Sequence, residues 1–231
     1  MKHSFYSILL AVFLSPLFSS AQVKVGYQQR INRDSKDQIN ELAKGVLLVR
    51  LQNKAYTIQA LKDAGRADDA AKVEAKQLEI NQEIVTAFIE GFDFCPVYFF
   101  NSSDSRKVMA GNISEIGFLN SKLEIDSTIK CDNEFYYIAE FSSIEQDTAS
   151  FYRTSYFEWD KKGPEIKQYR SGSGTYSGQK ALVIRSRQLI QLKKPFPYFV
   201  KENKIIVKRD KGTMVQMMNN QLKGYYNYNG F

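Results

Sequence analysis

The side chains that most often carry out chemistry are scarce in this chain. It contains two cysteines, Cys95 and Cys131, and one histidine, His3. His3 lies in an N-terminal segment that we expect to be removed, so the mature chain would have no imidazole. Ser-His-Asp and Cys-His catalysis, and zinc or iron sites with histidine ligands, all need that group. Two cysteines are also too few for an iron–sulfur cluster or an all-thiolate zinc site. The sequence therefore predicts no metal site and no cofactor.

Cys95 stands in the apolar stretch FDFCPVYFF, and its surroundings do not favour reactivity. A thioredoxin-like centre has the pattern C-x-x-C. In this chain the position of the second cysteine is occupied by Tyr98. Apolar neighbours raise the pKa of a thiol rather than lower it. Two structural interpretations remain open. Cys95 forms a disulfide with Cys131, as an oxidising compartment would allow, or it is an inert buried thiol.

Enzymes that dispense with histidine leave two further patterns to consider. The spacing S-x-x-K, used by serine–lysine acyl transferases, occurs at Ser127/Lys130 and at Ser177/Lys180. The catalytic serine of those enzymes opens a helix and has companion S-D-N and K-T-G motifs, which this chain lacks. Carboxylate pairs of the kind found in glycosidases also need no histidine, but no spacing singles out one pair. A histidine-free carboxylate hydrolase is therefore only the second alternative function.

Basic residues are concentrated in the C-terminal half. The segment from Lys161 to Lys211 contains 14 Lys or Arg and three Asp or Glu, whereas the rest of residues 22–231 carries a net negative charge. Such a region favours binding of an anionic partner, for example lipid headgroups, lipopolysaccharide phosphates or acidic glycans. The candidate anion-binding residues are Lys161, Lys162, Lys193, Lys194, Lys201, Lys204, Lys208, Arg209 and Lys211.

The N-terminus has the pattern of a secretory signal. Lys2 and His3 are followed by a mostly apolar run from Ser7 to Phe18, and Ser19-Ser20-Ala21 supplies the small residues that signal peptidase requires. The run is shorter than the roughly 20 residues of a membrane-spanning helix. We therefore expect cleavage after Ala21, export to the periplasm or cell exterior, and no transmembrane helix. Nucleic acid is then an improbable class of partner.

The elements that would position these residues suggest a mixed sheet. We expect a helix capped by Ser35 and ended by Gly45, a buried strand at Val46–Leu51, and a second buried strand at Phe94–Phe100. Two helices between these strands would make them a parallel pair. The second of those helices has an apolar stripe, interrupted by Gln82, that predicts its buried face. The stripe consists of Ala71, Ala75, Leu78, Val85 and Ile89.

The second half of the chain predicts mainly strands, with a helix at its end. Strand candidates lie at Ile116–Leu119, Phe135–Phe141, Phe151–Trp159, Ala181–Leu189 and Ile205–Lys208, and Val215–Tyr225 predicts a closing helix. We thus expect an α/β (or α+β) protein, with residues 22–231 as a single domain, a helical crossover part at 35–91 and a β-rich part at 92–231.

The function predicted from these features is that of an exported, non-catalytic envelope protein, binding another envelope protein or having a structural role. The first alternative is a binding module for an anionic envelope component, which would use the basic region.

Overall fold

Three parallel strands form the centre of the fold. In the computed structural model, which describes residues 29–145, 152–160, 163–171, 178–204 and 207–231, β1 (Val46–Leu51) pairs in parallel with β2 (Val97–Asn101) and β4 (Tyr136–Ser143). β3 (Phe118–Leu119) extends the sheet antiparallel to β2. The expected parallel pair of apolar strands is confirmed.

Further strands complete this sheet and form two small separate ones. β5 (Tyr152–Asp160) and β6 (Gly163–Ser171) are an antiparallel pair outside the main sheet. β7 (Lys180–Arg185) pairs antiparallel with β4, and β8 (Phe199–Lys201) with β7. β9 (Asn203–Lys204) and β10 (Val207–Lys208) make another short antiparallel pair. The main sheet is therefore mixed, with the strand order β3-β2-β1-β4-β7-β8.

Helices cover the two faces of the sheet unequally. The helix α1 spans residues 29–44. It is followed by α2 (Ala55–Asp63), α3 (Ala67–Gly91), α4 (Ser105–Ala110) and α5 (Lys211–Tyr228). One hydrophobic cluster joins α1, α3 and α5 to alternate residues of β1, for example Leu47 and Val49. A smaller cluster on the opposite face joins Val46 and Leu48 to α4 and the loops around it. The protein is an α/β fold with a C-terminal helix.

The N-terminal helix does not begin where its capping pattern predicted. Residues 29–34 are already helical, and Ser35 is buried in the middle of α1. Burial raises the pKa of the Tyr225 phenol on α5, and the Ser35 side chain beside it offsets part of that rise. Ser35 thus serves a helix–helix contact rather than a cap. The predicted end at Gly45 is confirmed, because α1 ends at residue 44. A glycine fits this position because a Cβ atom there would lie only 2.3 Å from the carbonyl oxygen of Phe135.

The predicted apolar stripe of α3 is also wrong. Leu78 and Ile89 are each 58% exposed, and of the stripe only Val85 is buried. The buried face is rotated by about one residue and is centred on Ile84 and Phe88, whose larger side chains bury more apolar area than the alanines of the stripe.

Polar groups on this buried face of α3 are satisfied. Gln77 donates to Asn81 at 2.9 Å, and Asn81 donates to the carbonyl oxygen of Gln52 at 2.8 Å. These hydrogen bonds allow two amides to lie on the inner side of the helix.

Three predicted strands are shorter than expected. The strand predicted at Ile116–Leu119 is only Phe118–Leu119, and of the strand predicted at Ile205–Lys208 the first two residues lie outside the described ones. The other two short strands have a local cause. β2 begins only after Pro96, which has no N–H to donate to a neighbouring strand, so Cys95 precedes the strand instead of belonging to it. β7 ends at Arg185 because Ser186 to Leu189 form a turn in which the Leu189 N–H donates to Ser186. The closing helix is confirmed, and it extends beyond its predicted ends.

Candidate functional site

The structure places five of the nine candidate anion-binding residues around two neighbouring cavities. Lys194, Lys201 and Arg209 line one, Lys208, Arg209 and Lys211 line the other, and Arg209 is common to both. Lys193 lines neither cavity. Lys161 and Lys162 lie outside the described residues, as does the side chain of Lys204.

The first cavity, which we name the Arg209 groove, lies between the segment leading into β8 and the outer side of α5. Its volume is about 400 Å³, in the range of small-molecule sites. Besides its three cations and Gln221, its lining is apolar or aromatic. The residues of this wall include Pro195, Pro197, Tyr198, Phe199, Val200 and Met217. No Asp or Glu of the described chain lines the groove. It therefore combines positive charge with an apolar wall.

The wall of the groove is fixed by aromatic packing. Phe196 is buried, and its ring lies 6.4 Å from that of Tyr137 on β4 and 6.3 Å from that of Tyr225 on α5, measured between centroids. Tyr198 packs against Phe199 at 4.7 Å. Because Phe196 anchors the chain to both the sheet and α5, the flanking Lys194 and Tyr198 are held at the groove.

Arg209 is the best-placed cation of the site. It is half-buried and lies between β10 and α5, where its main-chain N–H donates to the Glu202 carbonyl oxygen at 2.8 Å. Its Nη1 donates to the carbonyl oxygen of Lys201, also at 2.8 Å. No carboxylate of the described residues forms an ion pair with this guanidinium. It is thus oriented by the main chain and by the Lys201 carbonyl oxygen.

The start of α5 is stabilised next to Arg209. Asp210 caps the helix by accepting a hydrogen bond from the Thr213 N–H at 2.7 Å, and this bond and that from the Thr213 hydroxyl lower the pKa of Asp210. The cap fixes the direction in which the chain leaves β10 and therefore the position of Arg209.

The second cavity, which we name the α3–α5 cleft, is larger and of mixed charge. Its volume is about 910 Å³. Its acidic lining residues are Glu79, Glu83, Glu90, Glu202 and Asp210. Lys208 pairs with Glu202 at 3.3 Å, and Lys211 forms an ion pair with Glu83. Two of the predicted anion-binding cations are therefore already compensated by carboxylates, and the cleft does not favour an anion as the groove does.

A second charged group, a buried one, was not predicted from the sequence. Glu140 on β4 accepts hydrogen bonds at 2.6 Å from Arg50 on β1 and from Arg185 on β7. Arg185 also forms an ion pair with Glu145, while the Nε of Arg50 donates to Ser105 at 2.8 Å. The signal was present in the sequence, because Arg50 and Glu140 each interrupt an apolar run and Arg185 directly follows one.

This buried group has the properties of a structural cross-link. Both oxygens of Glu140 are occupied by arginines, and the side chains of Glu140 and Arg185 are only 6% and 7% exposed. A carboxylate that is buried and engaged by a guanidinium on each oxygen is not accessible to a ligand. The group joins three strands of the sheet, and we assign it no chemistry.

Four carboxyl groups of the described residues have a shifted pKa. The carboxyl groups with a resolved pKa shift are Glu83, Asp93, Asp126 and Asp210, and each shift is downward because hydrogen bonds favour the charged form. A glycosidase-type acid needs a raised pKa. Among the described residues there is also no group of three or more His, Cys, Asp or Glu that would hold a metal ion.

The two cysteines are separate free thiols. Cys95 belongs to the cluster on the α3–α5 face of the sheet and Cys131 to the cluster on the opposite face. Burial raises the pKa of Cys95 to about 12 and also raises that of Cys131. The structure therefore contradicts the disulfide and agrees with the alternative of an inert buried thiol at Cys95.

Comparison of the chain with protein-family models, with curated proteins and with solved structures finds no match. Within the residues that the structure describes, no helix combines the length and the apolar character needed to cross a bilayer.

Proposed function

We propose that the protein is an exported, non-catalytic binding protein that holds an anionic amphiphile in the Arg209 groove. The anionic group, a phosphate or a carboxylate, binds Arg209, and the apolar part of the ligand lies against the wall that includes Pro195, Phe199 and Met217. The signal-like N-terminus supports export. A protein partner in the envelope, the first function predicted from the sequence, remains a prediction.

The observation that carries this proposal is that Arg209 is half-buried and forms no ion pair with a described carboxylate. A guanidinium that is partly removed from water loses hydration, and proteins normally compensate this with a carboxylate. Arg209 has only the Lys201 carbonyl oxygen as a side-chain partner in the described chain. An arginine held in this way presents its remaining N–H groups in fixed geometry, which suits the oxygens of a phosphate or carboxylate.

The composition of the groove supports an amphiphile over a simple ion. Lys194 and Lys201 add positive charge next to Arg209, while most other lining residues are apolar. An inorganic anion would leave this wall in contact with water, whereas an alkyl or ring portion would cover it. We therefore infer that the ligand has both parts.

The experiment is co-sedimentation of the protein with phosphatidylcholine vesicles, with and without phosphatidic acid, at low and high salt. We expect markedly stronger binding to the vesicles with phosphatidic acid than to those without it, and a smaller difference at high salt, because salt screens exposed charges. Arg209→Gln should weaken binding about tenfold, as for the loss of charge-assisted hydrogen bonds.

The matched control is Arg106→Gln, which removes the same charge from an exposed position on α4. An equal loss in both variants would show that binding depends on net charge and not on the groove. Equal binding to both vesicle types would contradict the proposal.

A further inference from the structure

The α3–α5 cleft contains one carboxylate that forms neither an ion pair nor a hydrogen bond with a described residue. Glu83 pairs with Lys211, Glu202 with Lys208, and Glu79 with Lys76 at 2.8 Å, while Asp210 caps α5. The remaining acidic lining residue is Glu90, which is exposed near the end of α3. In the described part of the chain, Glu90 has no ion-pair partner.

Arg209 connects Glu90 to the groove. Because Arg209 lines both cavities, a ligand anion bound by its guanidinium lies where the groove and the cleft meet. The apolar part of such a ligand occupies the groove, so a substituent on the other side of the anionic group enters the cleft. There it meets carboxylates, and Glu90 is the one that no described residue engages by an ion pair or a hydrogen bond.

We propose that the ligand carries an ammonium group beside its anionic group and that Glu90 binds this ammonium. This inference rests on the proposed function, since it assumes that the anion lies at Arg209. The ligand class is then a zwitterionic headgroup of the phosphoethanolamine type, either on a lipid or as a soluble compound. A primary ammonium donates hydrogen bonds to a carboxylate, which a quaternary ammonium cannot do.

The test compares monoacyl lipids of one chain length that carry phosphoethanolamine, phosphocholine or phosphate alone as headgroup. The first two have the same net charge, so a difference between them does not come from general electrostatics. Titration calorimetry with the full protein should show a preference for phosphoethanolamine of about threefold to fivefold, as for an exposed ion pair. Glu90→Gln should abolish this preference and leave the affinity for the phosphate lipid unchanged or higher.

Glu74→Gln is the control, because it makes the same change at an exposed position of α3 outside both cavities. It should keep the preference. Soluble phosphoethanolamine distinguishes the two sources: binding as tight as that of the lipid would identify the free headgroup as the ligand, and much weaker binding would identify the lipid.

Each remaining outcome has a definite meaning. Binding of all three lipids without a preference, or a preference that persists in Glu90→Gln, would overturn the role of Glu90 and leave the anionic groove in place. No binding of any of the lipids would overturn the proposed function and this inference with it.

Discussion

Glu140 accepts a hydrogen bond from Arg185 at 2.6 Å between two adjacent strands, and both side chains are almost fully buried. Glu140 also accepts one from Arg50, so a single carboxylate compensates two guanidinium groups in the sheet. Replacing one partner of a buried charge pair leaves the other partner uncompensated, which is far more costly than losing a surface ion pair.

We predict that Glu140→Ala lowers the free energy of unfolding by about 3–5 kcal/mol, because Arg50 and Arg185 would stay in the sheet without their carboxylate. Glu145→Ala removes another carboxylate that contacts Arg185, but Glu145 is 56% exposed, so its loss should cost about 1 kcal/mol or less. Urea unfolding followed by circular dichroism measures both. Similar values for the two variants would contradict the assignment of a buried cross-link.

The rotation of α3 gives a second prediction, from two adjacent residues. Phe88 is buried against the rings of Phe92 and Phe99, with centroids at 5.7 and 6.4 Å, whereas Ile89 is mostly exposed. Phe88→Ala should lower the free energy of unfolding by about 3–5 kcal/mol, through lost burial and the cavity it creates. Ile89→Ala should change it by only about 0.5 kcal/mol. Thermal or urea unfolding measures both losses. A larger loss of stability in Ile89→Ala than in Phe88→Ala would support the buried face predicted from the sequence instead.

The cysteines should be reduced and slow to react in the folded protein. Burial raises the pKa of the Cys95 thiol to about 12, so the thiolate is a minor species near neutral pH. Iodoacetamide should label neither residue quickly in the native state and both in denaturant, as measured by mass spectrometry without reductant. A mass two hydrogens lower, with no labelling in denaturant, would show the disulfide that the structure does not contain.

The ion pair between Glu83 and Lys211 predicts a small effect of pH. The hydrogen bond from Lys211 lowers the pKa of Glu83, and a carboxyl group whose pKa falls on folding stabilises the protein above its unfolded value of about 4.3. That contribution is lost as the pH falls through the lowered folded pKa. Because Glu83 is about half exposed to solvent, Glu83→Gln should cost only about 0.5 kcal/mol or less at neutral pH.

Urea unfolding of both proteins at a series of pH values measures this effect. The wild type and Glu83→Gln should converge in stability toward acid pH, where Glu83 becomes neutral in both states. A difference that grows as the pH falls would contradict the sign of the shift.

Apolar composition predicted the central strands well, because a run such as Val46–Leu51, in which only Arg50 is charged, is typical of a strand covered on both faces. The same reasoning failed for α3, which has apolar residues on two neighbouring faces. Only the size of Ile84 and Phe88, together with the packing of α5, determines which face is buried. The prediction that Ser35 caps the first helix was wrong for a related reason. The local sequence does not distinguish a serine inside a helix from one at its cap, because the difference lies in the residues that the serine contacts.

The sequence indicated which types of residue form the site, but not which of the nine candidate cations belong to it. The charge excess identified Arg209 as one of nine equal candidates. Pairing separates Arg209 from two of them, since Lys208 pairs with Glu202 and Lys211 with Glu83, whereas no described carboxylate forms an ion pair with Arg209. Contacts between residues as distant in the chain as Glu83 and Lys211 are not encoded in local sequence patterns.

Binding of an anionic amphiphile by Arg209 and the groove beside it can be tested by chemical labelling. The most direct measurement is photoaffinity labelling of the protein with an alkyl phosphate that carries a diazirine in its chain, followed by peptide mapping. We predict that the label is found in the segments 194–201 and 207–221, that excess monoacyl phosphate competes it away, and that Arg209→Gln loses it. Labelling concentrated elsewhere, for example in the cavity lined by residues 113–118 and 125–132, or labelling unaffected by Arg209→Gln, would contradict the account.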